Sequence, residues 1–233
     1  MVPKPLLRVR WRGDERMMLE YVLRTLPAGV APLVALPPDA SWERRTDKAT
    51  GRLSKIVVLK KHTLGQAHTV GLLLFQEEIP VDDDTSVLVL DCDVLLPPET
   101  LLEMLRQVRE TDVVVAVAPS DKAAMSYVDV VPAFHLVREK QRISQWGVVG
   151  ARAFRRAGDL RDALARQEDL SYLTHTINEM PACMTRLALP VPDWVDWGTP
   201  AALAASGAVI MEDTPDQDSR AGGALPRPSE GAT

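Results

Sequence analysis

Residues 85–100 read TSVLVLDCDVLLPPET, in which four apolar residues (Val87, Leu88, Val89, Leu90) stop abruptly at two carboxylates, Asp91 and Asp93. An apolar run of this length, followed by a helical pattern, is what a strand buried on both faces of a parallel sheet looks like. In open α/β sheets ligands sit just beyond the carboxyl ends of such strands. Residues two apart on an extended chain share a side. Asp91 and Asp93 are therefore expected to face together and to suit a hard cation held against a phosphate. The same residues also suit a turn (Asp91) and a cap for the helix after Pro97-Pro98 (Asp93), so the triplet alone leaves both uses open.

The rest of the chain alternates. Met17, Met18, Tyr21, Val22 and Leu26 recur at helical spacing and stop at Pro27 and Gly29, with Arg12-Gly13-Asp14 as a polar turn before them. Val30–Leu36 and Ile56–Leu59 are short apolar strand candidates, separated by a charged, unpatterned loop or surface helix at Ser41–Gly51. A helix follows from Ala67, entered through Gly65-Gln66; a glycine at a strand-to-helix junction permits close backbone approach by a ligand. His62 and His68 have no partner at metal-ligand spacing and read as surface or capping residues. Asp112–Ala118 repeats the apolar strand, Tyr127–Val137 with Pro132 reads as edge or hairpin material, and Ser144–Phe154 is a further strand. Two helices, a short strand at Thr185–Pro190 and a tight aromatic turn at Asp193–Pro200 close the pattern. Thr199-Pro200 is a helix start, a hydroxyl cap before a proline at the first helical position.

This order predicts a single-domain α/β fold over residues 1–210, with a mostly parallel central sheet flanked by helices, and a disordered tail over 211–233. At 233 residues the chain is long enough to bury one sizeable core. A net charge of −5 excludes a dedicated nucleic-acid surface. No apolar run reaches membrane-spanning length, and two cysteines without metal spacing make no disulfide framework. A cytoplasmic protein is the expectation.

Several separated segments, in order, resemble the sugar-phosphate nucleotidyltransferases, pyrophosphorylase-like enzymes of the GT-A-type nucleotidyltransferase fold. The pieces are Lys4-Pro5-Leu6-Leu7-Arg8-Val9 with Met18-Leu19-Glu20-Tyr21-Val22; Gly65-Gln66-Ala67-His68-Thr69-Val70; Asp93 at its strand end; Glu139-Lys140 with Ser144, Gly147 and Phe154; and Trp194-Val195-Asp196-Trp197-Gly198-Thr199-Pro200. Together they span nearly all of residues 3–206. The family's first strand and G-x-G-x-R loop have no counterpart before Lys4. The expectation is an amino-terminally shortened form, with an open slot beside the strand ending at Asp91 and impaired NTP binding.

The resemblance implies that a sugar 1-phosphate, or a similar phosphate monoester, attacks an NTP to give a nucleotide-activated product and pyrophosphate. It implies Mg²⁺ held by Asp93 and Asp196, which should then face one cleft, with Asp91 in an auxiliary role. Lys4 and Asp93 would carry the chemistry, Gly65, Gln66 and Asp91 would meet the nucleotide, and Gly147, Glu139 and Lys140 the sugar or its phosphate. The partners implied are an NTP and a sugar phosphate, without nucleic acid or membrane; homo-oligomerisation is left open. A GT-A-type glycosyltransferase using a nucleotide sugar, and a non-catalytic sugar-nucleotide-binding relative, are the alternatives. Asp196 serving only to brace its turn, and Glu139-Lys140 serving only as an exposed charged pair, also stay open.

Overall fold

The computed structural model describes residues 4–38, 55–76 and 79–211. A 3-10 turn at Lys4–Leu6 leads into a hairpin, β1 (Arg8–Trp11) and β2 (Asp14–Met17), and then α1 (Met18–Arg24). β3 (Leu33–Leu36), β4 (Lys55–Val58), α2 (Gln66–Leu74), β5 (Val87–Leu90), β6 (Val94–Leu95), α3 (Pro98–Gln107) and β7 (Val113–Pro119) follow. The second half holds β8 (Tyr127–Val128), β9 (Val137–Arg138), β10 (Trp146–Phe154), α4 (Ala157–Arg166) and α5 (Leu173–Glu179). β11 (Arg186–Pro190), β12 (Val195–Asp196), α6 (Pro200–Ala205) and β13 (Val209–Ile210) complete it. The loop expected at Ser41–Gly51, and the tail expected from Glu212 onward, lie outside the described residues.

The central sheet has the order β11-β7-β10-β8-β9, with β5 also paired to β10. β7 and β11 are parallel, and β10 runs antiparallel to β5, β7 and β8. β5, β7 and β11 therefore point one way, and one reversed strand between them makes the sheet mixed. Its two faces carry separate cores, as an α/β sandwich requires. Val113, Val115 and Phe154 pack with Leu160 of α4 and Ile177 of α5 on one face. Val114, Ala116 and Ala151 pack with Leu101 and Met104 of α3 on the other.

The opening hairpin is an element the apolar pattern did not reveal. Arg12 and Gly13 take positive φ, 50° and 81°, at its tip, the geometry of a two-residue hairpin turn. β1 pairs with β13 on its other side, so the first and last described strands are neighbours. A third core binds them to the sheet. Trp11, Tyr21 and Trp197 meet edge-to-face with centroids 5.3–5.9 Å apart, and Trp197 is 1% exposed. Helix starts follow the local chemistry. Thr199 Oγ1 accepts from the Ala202 N–H at 3.1 Å, with Pro200 opening α6. The Met17 N–H donates to Glu20 Oε2 at 2.7 Å ahead of α1.

β5 is different from its neighbours. It is as apolar as β7, yet all four of its residues are only part-buried, whereas β7 is fully buried through Ala118. On one side it pairs with β10; on the other no strand pairs with it among the described residues. β3 and β4 form a parallel pair of their own. A cleft of about 1650 Å³, lined by Val34, Leu36's neighbour Ala35, Leu73, Leu88 and Leu90 among others, runs along that free edge of β5 towards β3.

Candidate active site

Beyond Leu90 the chain leaves the extended conformation. Residues 92–93 form a turn, with the Val94 N–H directed at the Asp91 carbonyl at 3.4 Å. The two carboxylates take different partners from this turn, although both line the same cleft and Asp93 adds to the raised Asp91 carboxyl. Asp91 turns towards α2 and β10, while Asp93 turns towards the closing segment. Gly150 makes the turn possible. It sits at a bulge between Val148 and Arg152 with φ +74°, and its carbonyl accepts from the Asp91 N–H at 2.8 Å. A Cβ there would lie 3.0 Å from Asp91 Oδ2 and 2.8 Å from the Val94 side chain.

The short ladder between β6 and β12 places Asp196 opposite Val94, and the Trp197 N–H donates to the Asp93 carbonyl at 2.8 Å. The side chains follow. A Cβ on Gly198 would lie 2.7 Å from Asp196 Oδ1 and 3.7 Å from Asp93 Oδ2, so both carboxylates border the same small space beside that glycine. Asp196 Oδ1 accepts from the Gly198 N–H at 2.7 Å. A lysine stands against each acid. Lys4 Nζ donates to Asp93 Oδ2 at 2.5 Å and to the Gly198 carbonyl at 2.7 Å. Lys122 Nζ donates to Asp196 Oδ2 at 2.8 Å. Among the described residues no group of three His, Cys, Asp or Glu side chains is placed for a metal. Two carboxylates with phosphate and water oxygens are nonetheless an ordinary set for Mg²⁺, and the oxygen-only chemistry of Asp93 and Asp196 fits that ion.

Asp91 occupies the neighbouring corner. Gln66 Nε2 donates to its Oδ1, and Arg152 Nη1 stands 3.5 Å from the same oxygen. Burial pushes the Asp91 carboxyl up from its usual range, Arg152 opposes that shift, and Asp93 adds to it. Arg152 is 5% exposed, and its Nε and Nη1 have no hydrogen-bond acceptor among the described residues. Cys92, between the two acids, is free, and its thiol is pushed up to about 12, first by burial and then by Asp93 and Asp91.

The other residues singled out in the sequence take varied places. Gly65 opens α2 where a side chain would collide with the Ser171 carbonyl, and that carbonyl accepts from the Gln66 N–H at 2.9 Å. The close approach that calls for glycine is thus met by the chain itself. His68 Nδ1 accepts from the Leu64 N–H at 3.0 Å, a capping contact at the same helix start. Glu139 accepts from the hydroxyls of Ser126 and Thr174. Lys140, at φ +52°, donates to the Tyr172 hydroxyl and lies 4.7 Å from that ring. Gly147 faces Met125 and Ser120, where a Cβ would come within 3.0 and 3.1 Å. Ser144 donates to the Val128 carbonyl, and Phe154 is in the core.

The cleft brings together Gly65, Gln66, Asp91, Asp93, Glu139 and Asp196, while Lys4, Lys140 and Gly147 are not in its lining; Lys4 reaches the site through its contact with Asp93. Lys122 and Arg152 line it too, and sequence reading missed both. A charge inside the apolar run of β10 was a signal for Arg152, and a lysine just past the carboxyl end of β7 was one for Lys122.

No protein-family model and no curated protein matches the chain. Solved structures do. A nucleoside-diphosphate-sugar pyrophosphorylase from Vibrio cholerae RC9 is 18% identical, with a TM-score of 0.75 over 88% of this chain and 91% of that one. A UDP-glucose pyrophosphorylase from Acinetobacter baumannii is 18% identical, with a TM-score of 0.66 over 88% and 84%. The inositol-1-phosphate CTP transferase from T. maritima is 19% identical, with a TM-score of 0.65 over 88% and 85%. The chain has the α/β fold of the sugar-phosphate nucleotidyltransferases.

Proposed function

We propose that the protein joins an NTP to a sugar 1-phosphate or similar phosphate monoester, giving a nucleotide-activated product and pyrophosphate. The observation that carries this reading is the proximity of Asp93 and Asp196 at the end of β5, with Lys4 beside them. It draws support from the neighbours of like fold, whose names are those of pyrophosphorylases and a CTP transferase.

In the proposed reaction an oxygen of the monoester's phosphate bonds to the α-phosphorus, and the bond from that phosphorus to the bridging oxygen breaks as pyrophosphate leaves. The attacking oxygen is already ionised at neutral pH, so no strong general base is required. The protein's part is to bring two anions together and to balance charge that grows in the transition state. Asp93 and Asp196 would hold Mg²⁺, which when bound offsets the phosphate charge and fixes its orientation. Lys4 reaches Asp93 and the Gly198 carbonyl, and in this reading its ammonium meets the α-phosphate as a point charge. Gly65, Gln66 and Asp91 form the wall beside the base and ribose. Glu139, which lines the cleft, would meet the sugar or its phosphate, and Lys140 and Gly147 would take part only from beyond that lining.

The test is a pyrophosphate-release assay with each NTP, glucose 1-phosphate and Mg²⁺, run beside a transfer assay from UDP-glucose. Pyrophosphate that appears only when both substrates and Mg²⁺ are present is the expected result. Transfer from the nucleotide sugar without pyrophosphate release would replace this reading with a glycosyltransferase.

A further inference from the structure

Lys122 belongs to no segment that the sequence pointed to, yet it is placed with care. Its backbone is fixed at several points: its N–H donates to Ser120 Oγ at 3.2 Å, and its carbonyl accepts from the Tyr127 hydroxyl at 2.8 Å and the Met125 N–H at 3.1 Å. That bracing presents the side chain to the cleft. The ammonium sits 2.8 Å from Asp196 Oδ2 and 5.4 Å from the centre of the Trp194 ring, with half of the side chain exposed. Lys4 makes the matching contact with Asp93 from another part of the chain. Two neighbouring acids are thus balanced by two lysines from different parts of the chain.

The charges decide what happens next. Both acids border the space beside Gly198 and each already holds an ammonium, so a divalent cation bound by the pair must share or displace the ammonium on each. An ammonium released beside a divalent cation has lost its counter-charge, and an anion is what restores the balance. Lys4 leans towards the corner of Asp93 and Asp91. Lys122 comes from the loop that carries Ser126, whose hydroxyl is tied to Glu139.

We propose that Lys122 is a substrate-binding lysine that covers Asp196 in the empty site and moves onto the phosphate of the monoester once Mg²⁺ takes the carboxylates. This rests on the nucleotidyltransferase reading for the identity of the monoester. The lysine exchange itself requires only a divalent cation and a phosphate dianion. Its signature is a pair of opposite effects in one variant. Removing the ammonium takes away a competitor for Asp196 and also takes away a phosphate contact.

The experiment titrates the full chain, its Lys122→Gln and its Lys122→Arg forms by calorimetry, first with Mg²⁺ alone, then with inorganic phosphate or glucose 1-phosphate at saturating Mg²⁺. Lys122→Gln is expected to bind Mg²⁺ alone several-fold more tightly and both phosphates at least tenfold more weakly, with Lys122→Arg recovering most of the phosphate affinity. Unchanged phosphate affinity in Lys122→Gln, or Mg²⁺ affinity that falls together with it, would overturn the exchange. Phosphate lost as expected in a chain that releases no pyrophosphate from any NTP would uphold the lysine exchange and remove the reaction assigned above. A wild-type chain that binds neither phosphate with Mg²⁺ would overturn both.

Discussion

Asp93 and Asp196 meet across Gly198: a methyl group on that glycine would stand 2.7 Å from Asp196 Oδ1 and 3.7 Å from Asp93 Oδ2. The glycine is where the two acids are kept close without touching. Gly198→Ala must push the Asp196 carboxylate off the Gly198 N–H that now holds it at 2.7 Å. The expected outcome is at least a tenfold loss of Mg²⁺-dependent nucleotide binding. Calorimetry on the variant checks it, and unchanged affinity would mean that Asp196 does not serve the cation.

Asp93→Asn keeps the shape of the side chain and removes its charge. The Lys4–Asp93 contact is partly exposed, with side-chain exposures of 37% and 22%, so its loss should cost no more than about 1 kcal/mol. For a chain of this size that is a fall in Tm of roughly 2–4 °C. Metal-dependent nucleotide binding should disappear while the cooperative thermal transition remains. A collapsed transition would instead make Asp93 a structural residue.

Asp91 and Arg152 give the site its pH dependence. The Asp91 carboxyl is raised by burial, against the pull of Arg152. An acid whose folded pKa lies above its unfolded value of about 3.9 costs stability as pH rises past that value, and the cost levels off above the folded pKa. Arg152→Met removes the opposing charge, so the folded pKa rises further and the variant loses more stability between acid and neutral pH than the parent. Denaturant melts from pH 4 to pH 7 check the sign. Adding Asp91→Asn to Arg152→Met should flatten the profile, because the titrating group is gone.

The two cysteines should separate cleanly under alkylation. The Cys92 thiol, pushed to about 12, has almost no thiolate at pH 8, whereas Cys183 is exposed. Mass spectrometry after brief iodoacetamide treatment should find one label, on Cys183, and two only after unfolding. Labelling of Cys92 in the folded chain would show that the turn between Asp91 and Asp93 opens to solvent.

Among the described residues no strand pairs with the outer side of β5. We propose that a form extended upstream by an apolar strand and a glycine-rich loop places that strand between β5 and β3. Each new ladder bond contributes about 1 kcal/mol, and the part-buried Val87–Leu90 would gain cover. The extended form should melt higher and bind NTP more tightly than the 233-residue chain. Equal Tm and equal NTP turnover in the two forms would reject the idea.

What the sequence disclosed, and what it kept back, follows the range of the physical signal. The strand at Val87–Leu90, the cap at Thr199 with Pro200, and the ends of most helices were legible because apolar runs and capping residues act within a few positions. The hairpin at Arg8–Met17 was overlooked because only Val9 and Trp11 alternate with arginine in β1 and β2 is charged up to Met17, too short an alternation to stand out; Arg12-Gly13 marked the turn at its tip. The reversal of β10 has no local mark, since strand direction is decided by partners far along the chain. The different partners of Asp91 and Asp93 were hidden for a similar reason: the turn at 92–93 and the Gly150 carbonyl that receives the Asp91 N–H depend on a strand far along the chain. Lys122 and Arg152 enter the site through side-chain reach, which spacing does not record.

The edge of β5 also governs how the protein behaves in a crowd. Among the described residues no strand pairs with the outer side of β5, and an open strand edge flanked by Val and Leu is a template that does not discriminate between a strand of its own molecule and one from a neighbour. At high concentration, two molecules meeting along this edge would extend one sheet into the other. Self-association is therefore tied to what occupies that edge: a strand seated beside Val87–Leu90 would cap the template, and an open edge would offer it to a neighbour.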